Sequence, residues 1–223
     1  MFSMLRIIAR KVLAIRRPAD VWRACRGAPA FVKRLVNSGR DLLLPAFVKD
    51  LHGPVAVACD RDEFVVLLLI KDGREYVNAI IEHYLGLGAR HIFVMDNGST
   101  DGTIERFRAC DRATVVQCRL PFRTWQHAMR RYLFRRFASG RWGLLIDSDE
   151  LFDFPGSDGI GMRQFLGYLN EHGYTAVLAH MLDMFSTDPP QATRSQADVD
   201  LKQRYTYCDP ALIRRVPYGE IFD

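Results

Sequence analysis

Residues 91–110 read HIFVMDNGSTDGTIERFRAC, and this stretch decides the fold. The apolar run HIFVM is typical of a buried β-strand, and IERFRAC follows it with the spacing of a helix. Between them lies the polar turn DNGSTDGT, in which Gly98 permits close backbone approach and Ser99 or Thr100 caps the helix. The turn also puts a carboxylate, that of Asp96, where the strand ends.

The same alternation of strand-like and helix-like segments extends through the chain. The strand-like runs are, in order, FVVLLLI, HIFVM, TVVQC, WGLLI and TAVLAHM, and helical patterns lie between them. This alternation predicts an α/β fold with a mainly parallel sheet and helices on both faces. In such sheets the ligand lies beyond the carboxyl ends of the strands, at a switch point in strand order. We therefore expect the functional site at that edge.

Polar residues follow three of these strands at the point where each strand ends. They are, in chain order, Lys71, Asp72, Asp96 and Asp147. Asp147 and Asp149 are expected on the same side of an extended segment, because side chains alternate along a strand. Such a pair of carboxylates suits a divalent cation that bridges to a diphosphate. The sequence thus predicts a nucleotide and metal site.

Composition and charge restrict the classes of function. The 223 residues are 48% hydrophobic and 26% charged, as in a globular protein. The net charge of +5 comes from residues 1–50, which hold eleven Lys or Arg against three acids, whereas the rest hold twenty against twenty-three. Without a basic excess or a recognised binding motif, the main domain is not expected to bind nucleic acid.

Five scattered cysteines without CxxC are typical of reduced thiols in a cytosolic protein.

Residues 1–53 are predicted to form a basic helical extension, and residues 54–223 the α/β domain. Apolar residues recur at helical spacing in the first part of the extension, with arginines on the opposite side: Met1, Leu5, Ile8, Val12 and Ile15. Residues 1–17 could lie on an anionic membrane surface, and the alternatives are docking on the domain or a mobile leader. No apolar run is long enough to span a membrane, so we expect a cytoplasmic protein, peripheral on the membrane if residues 1–17 bind it.

The segments LLLIKDGREYVNAIIEHYLGLGARHIFVMDNGSTDGT and RWGLLIDSDEL together resemble the family 2 glycosyltransferases. The resemblance is to the branch with a Lys-Asn-Glu start and an Asp-x-Asp-Glu end, and it covers roughly residues 64–185. It implies a Rossmann-like GT-A fold, a nucleotide-diphosphate sugar donor and a Mn or Mg ion. It also implies transfer with inversion to a hydroxyl of an acceptor, which is a glycan, a lipid or a protein.

The resemblance also implies roles for individual residues. Asp96 resembles the aspartate that contacts the nucleobase, and Asp147 and Asp149 resemble the donor and metal carboxylates. The chain departs from the family pattern at Asp72-Gly73, where Asn-Glu is usual. The residues expected to bind the donor are Lys71, Asp72, Asp96, Asn97, Gly98, Ser99 and Asp147, and those expected to bind the metal are Asp147 and Asp149.

A base is needed to take the proton from the acceptor hydroxyl. Asp183, just after TAVLAHML, is the candidate by its order along the chain, and a turn or cap residue is the alternative interpretation. A lone histidine in the same apolar strand, His180, is more typical of a core residue than of a metal ligand.

Two alternatives to a transferase remain open on the sequence. A nucleotidyltransferase would need a glycine-rich phosphate loop after its first strand, and KDGREY is a poor substitute for one. A non-catalytic nucleotide-binding or scaffold domain is favoured by the departure at Asp72-Gly73 and by the chain ending at Asp223, soon after the fifth strand. On that interpretation the chain is a truncated relic that keeps only the donor half.

Overall fold

The computed structural model describes residues 13–15, 30–179, 181–186 and 205–208. The strands are β1 (Leu13–Ile15), β2 (Lys49–His52), β3 (Phe64–Ile70), β4 (Ile92–Asp96), β5 (Ala113–Gln117), β6 (Trp142–Ile146) and β7 (Ala176–Leu178). The helices are α1 (Ala30–Leu43), α2 (Val77–Gly86), α3 (Thr103–Arg108), α4 (Phe122–Phe137) and α5 (Met162–Glu171). Short 3-10 helices lie at Leu44–Phe47 and Arg74–Tyr76.

The chain divides into two compact units. One comprises Pro29–Leu151 and Gly161–Gly167, and it contains a five-stranded sheet of β2 to β6. The described residues of the other unit include β1 and β7, which pair in antiparallel fashion, and a bridge between Phe185 and Tyr207. The domain boundary expected at residues 53 and 54 stays a prediction, and β2 precedes it.

The five-stranded sheet is mainly parallel, as predicted. Its strand order is β2-β5-β4-β3-β6; β4 pairs in parallel with β3 and β5, and β6 pairs in parallel with β3. Only β2 is antiparallel, on the outer side of β5. Local patterns do not predict β2, because its four residues, KDLH, are exposed or half-buried and show no apolar run.

Helices cover both faces of this sheet, which is why β3 is buried along its whole length. On one face, Leu67 of β3 shares an apolar cluster with Met129 and Leu133 of α4. The rings of Phe93 and Phe137 stack in the same cluster with centroids 4.2 Å apart. The opposite face lies under α2 and α3, which contact each other and bury Ile80, Tyr84 and Phe107 completely. The predicted α/β class, with a mainly parallel sheet and packed helices, is thus confirmed.

The strand order creates a switch point between β3 and β6. From β3 the chain proceeds outward to β4 and β5, and then returns to the other side of β3 to form β6. Ile70 lies opposite Asp96, Asp96 opposite Gln117, and Leu68 opposite Ile146, so the carboxyl ends are aligned. The predicted meeting of polar strand ends at one edge is therefore correct.

The N-terminal helix predicted for residues 1–17 differs from the structure where the two overlap. Leu13–Ile15 form β1, paired with Ala176–Leu178, and the remainder of that segment lies outside the described residues. Within the predicted extension, the described helix is α1. None of the helices in the described ranges combines the length and the apolar character that crossing a membrane requires.

Candidate functional site

Asp96, at the end of β4, forms the turn that follows it. Its side chain is completely buried, and its oxygens accept hydrogen bonds from the N–H of Gly98 (2.9 Å), the N–H of Ser99 (3.0 Å) and the Nε2 of Gln117 (2.8 Å). Gly98 has φ of +90°, a conformation that glycine adopts without a steric penalty. The carboxyl group therefore points into its own turn and presents no exposed surface to a nucleobase.

Asn97 joins three strand ends. Its N–H donates to the carbonyl of Ile70 at 2.8 Å, at the end of β3. Its side-chain Nδ2 donates to the carbonyls of Cys118 (2.6 Å) and Leu120 (2.9 Å), just beyond β5. Because Asn97 is only 7% exposed, its amide group serves the structure of the edge.

The loop after β3 is held by side chains of the DNGSTDGT turn. The consecutive N–H groups of residues 72–74 donate to Ser99 Oγ (2.8 Å), Thr103 Oγ1 (3.0 Å) and Asp101 Oδ2 (2.9 Å). In return, Asp72 Oδ1 accepts from the N–H of Thr100 at 2.7 Å. The polar residues of the turn thus bind the neighbouring loop and fix the position of the two loops relative to each other.

Local sterics account for the residue pair Asp72-Gly73. Asp72 has φ of +49°, the left-handed region that Asp and Asn tolerate better than most residues. A Cβ at Gly73 would lie 2.6 Å from Ile70 Cδ1, so a larger residue would displace that buried side chain. The loop therefore favours glycine at position 73 and a residue that tolerates the left-handed region at position 72.

The helix cap predicted at Ser99 or Thr100 is wrong. Helix α3 begins at Thr103, and its N-cap is Gly102, with φ of +95° and no side-chain cap hydrogen bond. The oxygen of Ser99 accepts from Asp72 instead, and the N–H of Thr103 donates to Asp101 at 3.0 Å. Competition from the loop after β3 explains the difference, because hydroxyl groups in turns bond readily to any nearby backbone group.

Replacing Asp101 with alanine is expected to lower the free energy of unfolding by about 1 to 2 kcal/mol at neutral pH, since the N–H groups of Arg74 and Thr103 lose their acceptor. Burial acts to raise the pKa of Asp101, but hydrogen bonds from Thr103 and Arg74 outweigh it and hold the pKa below its ordinary value. A lowered pKa means stability that is present above the ordinary aspartate pKa and lost as the pH falls through the lowered value. Urea denaturation at neutral pH and at about pH 3 should show the difference between variant and parent shrinking in acid. An equal difference at both pH values would contradict this role.

Residues 147–150, after β6, form a hydrogen-bonded turn and not an extended segment. The N–H of Asp147 donates to Glu150 Oε2 at 3.0 Å, and the N–H of Glu150 donates to the carbonyl of Asp147 at 3.2 Å. Tyr84 Oη donates to the carbonyl of Glu150 at 2.8 Å. The prediction that Asp147 and Asp149 share one side of a strand is therefore wrong, because the strand ends at Ile146.

The two carboxylates of this turn differ in environment. Asp147 Oδ1 lies 2.6 Å from Arg130 Nη2, and its side chain is 48% exposed. Asp149 is exposed at the tip of the turn. Among the described residues, no group of three or more His, Cys, Asp or Glu could hold a metal ion. An ion at Asp149 would need further ligands from a bound diphosphate and from water, the manner in which Mg²⁺ is commonly held.

The arginines of α4 form ion pairs, although a solvated face is the simplest expectation from the sequence. Besides Arg130, the pairs link Arg131 and Arg135 to Asp41 of α1, and Arg136 to Asp50 of β2. Burial acts to raise the pKa of Asp41, but Arg131 and Arg135 outweigh it and lower the pKa. These contacts attach α1 and β2 to α4.

The remaining predicted site residues are exposed. Lys71 directly follows β3, and Asp183 lies beyond β7 in the second unit. His180 lies outside the described residues. Four residues that organise the edge were not assigned such a role from the sequence: Asp101, Thr103, Gln117 and Arg130. Gln117 ends β5 and could have been found by the criterion that selected Asp96, whereas nothing local distinguishes Arg130 from its neighbours.

The residues at this edge therefore fall into two groups. Some form hydrogen bonds within and between the loops, and a few others are exposed. Asp96, Asn97 and Asp101 are engaged within the loops, while Lys71 and Asp149 are available to a ligand. Comparisons with known proteins find no matching family model, no matching curated protein and no matching solved structure.

Proposed function

We propose that this chain is a metal-dependent glycosyltransferase with a GT-A fold, which transfers a sugar from a nucleotide-diphosphate sugar to an acceptor hydroxyl with inversion. The observation that carries the proposal is the switch point between β3 and β6, with Lys71 after one strand and Asp147 and Asp149 after the other. Nucleotide ligands bind at such switch points in open parallel sheets.

Each exposed group at the edge has a role in this proposal. Lys71 supplies a positive charge for a phosphate, and Asp149 supplies a hard oxygen ligand for Mn or Mg. Asp147 is oriented by Arg130 and lies beside it. A bound Mn or Mg ion would neutralise the charge that develops on the diphosphate leaving group. Asp96 and Asn97 act on the donor through the loops they hold.

The acceptor side of the reaction requires a base. Exposed Asp183 is the proposed base, since a carboxylate can take the proton from an acceptor hydroxyl. The acceptor is a glycan, a lipid or a protein that presents such a hydroxyl.

Replacing Asp149 with alanine is expected to weaken Mn-dependent binding of UDP or GDP by at least about tenfold, and to leave any metal-independent binding unchanged. The reason is that Asp149 is the exposed carboxylate of the turn, so its removal subtracts a metal ligand with little effect on folding. Isothermal calorimetry with and without Mn provides the measurement.

Asp111→Ala is the matched control for that experiment. Asp111 is also an exposed aspartate, but it lies just before β5 begins, at the opposite edge of the sheet. Absence of binding of any nucleotide to the parent protein, or equal loss in both variants, would refute the proposed donor site.

A non-catalytic nucleotide-binding domain is the second candidate, and the loop after β3 favours it. This loop is occupied by bonds to the DNGSTDGT turn, so it has less freedom to close on a substrate. Mn-dependent nucleotide binding without hydrolysis of sugar nucleotides above a control without protein would identify this case. A nucleotidyltransferase has less support, because the N–H groups of residues 72–74 already have acceptors and are not free to cradle a phosphate.

A further inference from the structure

Large apolar side chains are exposed where α1 ends and α4 begins. Leu42 is 82% exposed, Leu43 56%, Phe47 51% and Phe122 41%. We refer to these four residues together with half-buried Trp125 as the apolar ridge. All five belong to the unit that contains the five-stranded sheet. Single exposed apolar residues are common on protein surfaces, whereas a connected group marks a site of interaction.

An aromatic contact joins the two ends of the ridge, which come from α1 and its following 3-10 helix and from α4. The rings of Phe47 and Trp125 have centroids 6.4 Å apart. Trp125 lies one helical turn after Phe122 in α4. Leu42 and Leu43 end α1, and the 3-10 helix that ends at Phe47 follows them directly. The pairing of Lys49 with Gln117 puts this end of β2 at the carboxyl edge of the sheet.

The charge around the ridge is positive. Arg40 lies over the ring of Trp125, with Cζ 6.0 Å from the ring centroid, and exposed Arg123 follows Phe122. The acidic residues nearest in sequence are neutralised, because Asp41 is bound to two arginines of α4 and Asp50 to another.

From this combination we infer that the apolar ridge inserts into the interface of an anionic membrane. Leu, Phe and Trp are the side chains that enter the boundary between headgroups and acyl chains, and flanking arginines bind anionic headgroups. A second copy of this chain fits less well, because two ridges would bring their positive surroundings together. The surface involved is distinct from residues 1–17, and it is independent of the transferase activity.

The test is sedimentation of the full chain with phosphatidylcholine vesicles that contain or lack phosphatidylglycerol, at low salt. The parent protein is expected to bind the anionic vesicles, and Leu43→Glu combined with Phe47→Glu to lower the partition coefficient by at least about tenfold. Val55→Glu is the matched control. Val55 is also 51% exposed, but it adjoins Pro54, whose carbonyl accepts from Thr114 at the amino end of β5.

A spectroscopic measurement identifies the surface that enters the lipid. In a Trp22→Phe background, which leaves Trp125 and Trp142, brominated lipid should quench tryptophan fluorescence in the background protein and on addition of Trp142→Phe, and much less on addition of Trp125→Phe, since only Trp125 belongs to the ridge. Failure of the parent to pellet with anionic vesicles would overturn the inference. So would equal binding by the double glutamate variant, which would assign the contact to the basic N-terminal residues, or a parent dimer that the double variant loses without any vesicle binding.

Discussion

Replacing Asp96 with alanine is expected to lower the free energy of unfolding by about 3 kcal/mol. The carboxyl group is completely buried, and it accepts hydrogen bonds from two N–H groups of its own turn and from Gln117 of β5. Truncation would leave these donors without an acceptor, and each such loss costs about 1 to 3 kcal/mol when water cannot replace it. The estimate lies at the lower end of their sum, because Gly98 and Ser99 are only half-buried.

Urea denaturation of the parent, Asp96→Ala and Asp96→Asn provides the measurement. The asparagine variant retains one acceptor oxygen, so its stability should lie between the other two. Asp111→Ala, at an exposed position, should remain within about 0.5 kcal/mol of the parent. An Asp96→Ala protein as stable as the parent would show that the oxygens of Asp96 are not required by the turn and are free for a ligand.

The structural role of Asp96 makes it a poor position for probing the donor site. Loss of nucleotide binding in Asp96→Ala would follow from a disordered turn as readily as from a lost contact, since Asp96 holds the DNGSTDGT turn. Asp149, exposed and outside the network of bonds that organises that turn, is therefore the more informative position for a test of ligand binding.

The stability of the protein is expected to fall by about 3 kcal/mol between neutral pH and about pH 4 through His91 alone. His91 is 3% exposed, and burial, together with Arg112 and Arg90, lowers its pKa from 6.5 to about 4. The unfolded chain therefore takes up the proton first. Stability is present in full above the unfolded pKa and is lost as the pH falls from about 6.5 toward the folded value.

The hydrogen bonds of His91 are consistent with a neutral ring. Its Nε2 lies 2.8 Å from Thr114 Oγ1, and that hydroxyl donates its one proton to the carbonyl of Pro54. The Nε2 must consequently donate to Thr114, as a neutral imidazole can. Protonation would place a charge on a buried ring close to two arginines.

A comparison of the parent with His91→Gln isolates this effect from the other titrating groups. The glutamine side chain can still donate to Thr114 but cannot titrate. The difference in unfolding free energy between the two proteins should change by about 3 kcal/mol in favour of the variant between neutral pH and about pH 4. A difference that does not depend on pH would mean that His91 is accessible to protons in the folded state.

Much of the architecture could be predicted because it depends on neighbouring residues. The runs FVVLLLI and HIFVM are apolar enough to be strands buried on both faces, and both are buried in full in the structure. The helical pattern expected between TVVQC and WGLLI corresponds to α4, with Ala128, Met129, Leu133 and Phe137 in the core. The arrival of Asp96 and Asp147 at one edge followed from the parallel sheet that this alternation predicts.

The wrong predictions concern residues whose structure depends on side-chain contacts or on the pairing of distant segments. Ser99 was expected to cap α3, but its oxygen bonds to Asp72, which is 27 residues away in sequence. Residues 147–149 were treated as a continuation of β6, yet the chain turns there because Glu150 bonds back to Asp147. The polar strand β2 became part of the sheet because β5 presented a free edge to it.

Local patterns were thus sufficient to predict the α/β class, the core and the edge at which polar residues collect. The reason is that the spacing of apolar residues in a strand or a helix involves only residues that are close in sequence. Which of those polar residues remain available was decided by the tertiary structure. Asp72 with Thr100, Asn97 with Cys118, and Arg130 with Asp147 are 28, 21 and 17 residues apart in sequence. Their bonds depend on the strand order that brings the loops together, and no local pattern encodes that order. Folding therefore engages Asp96 in the support of its own turn and leaves Lys71 and Asp149 exposed at the edge.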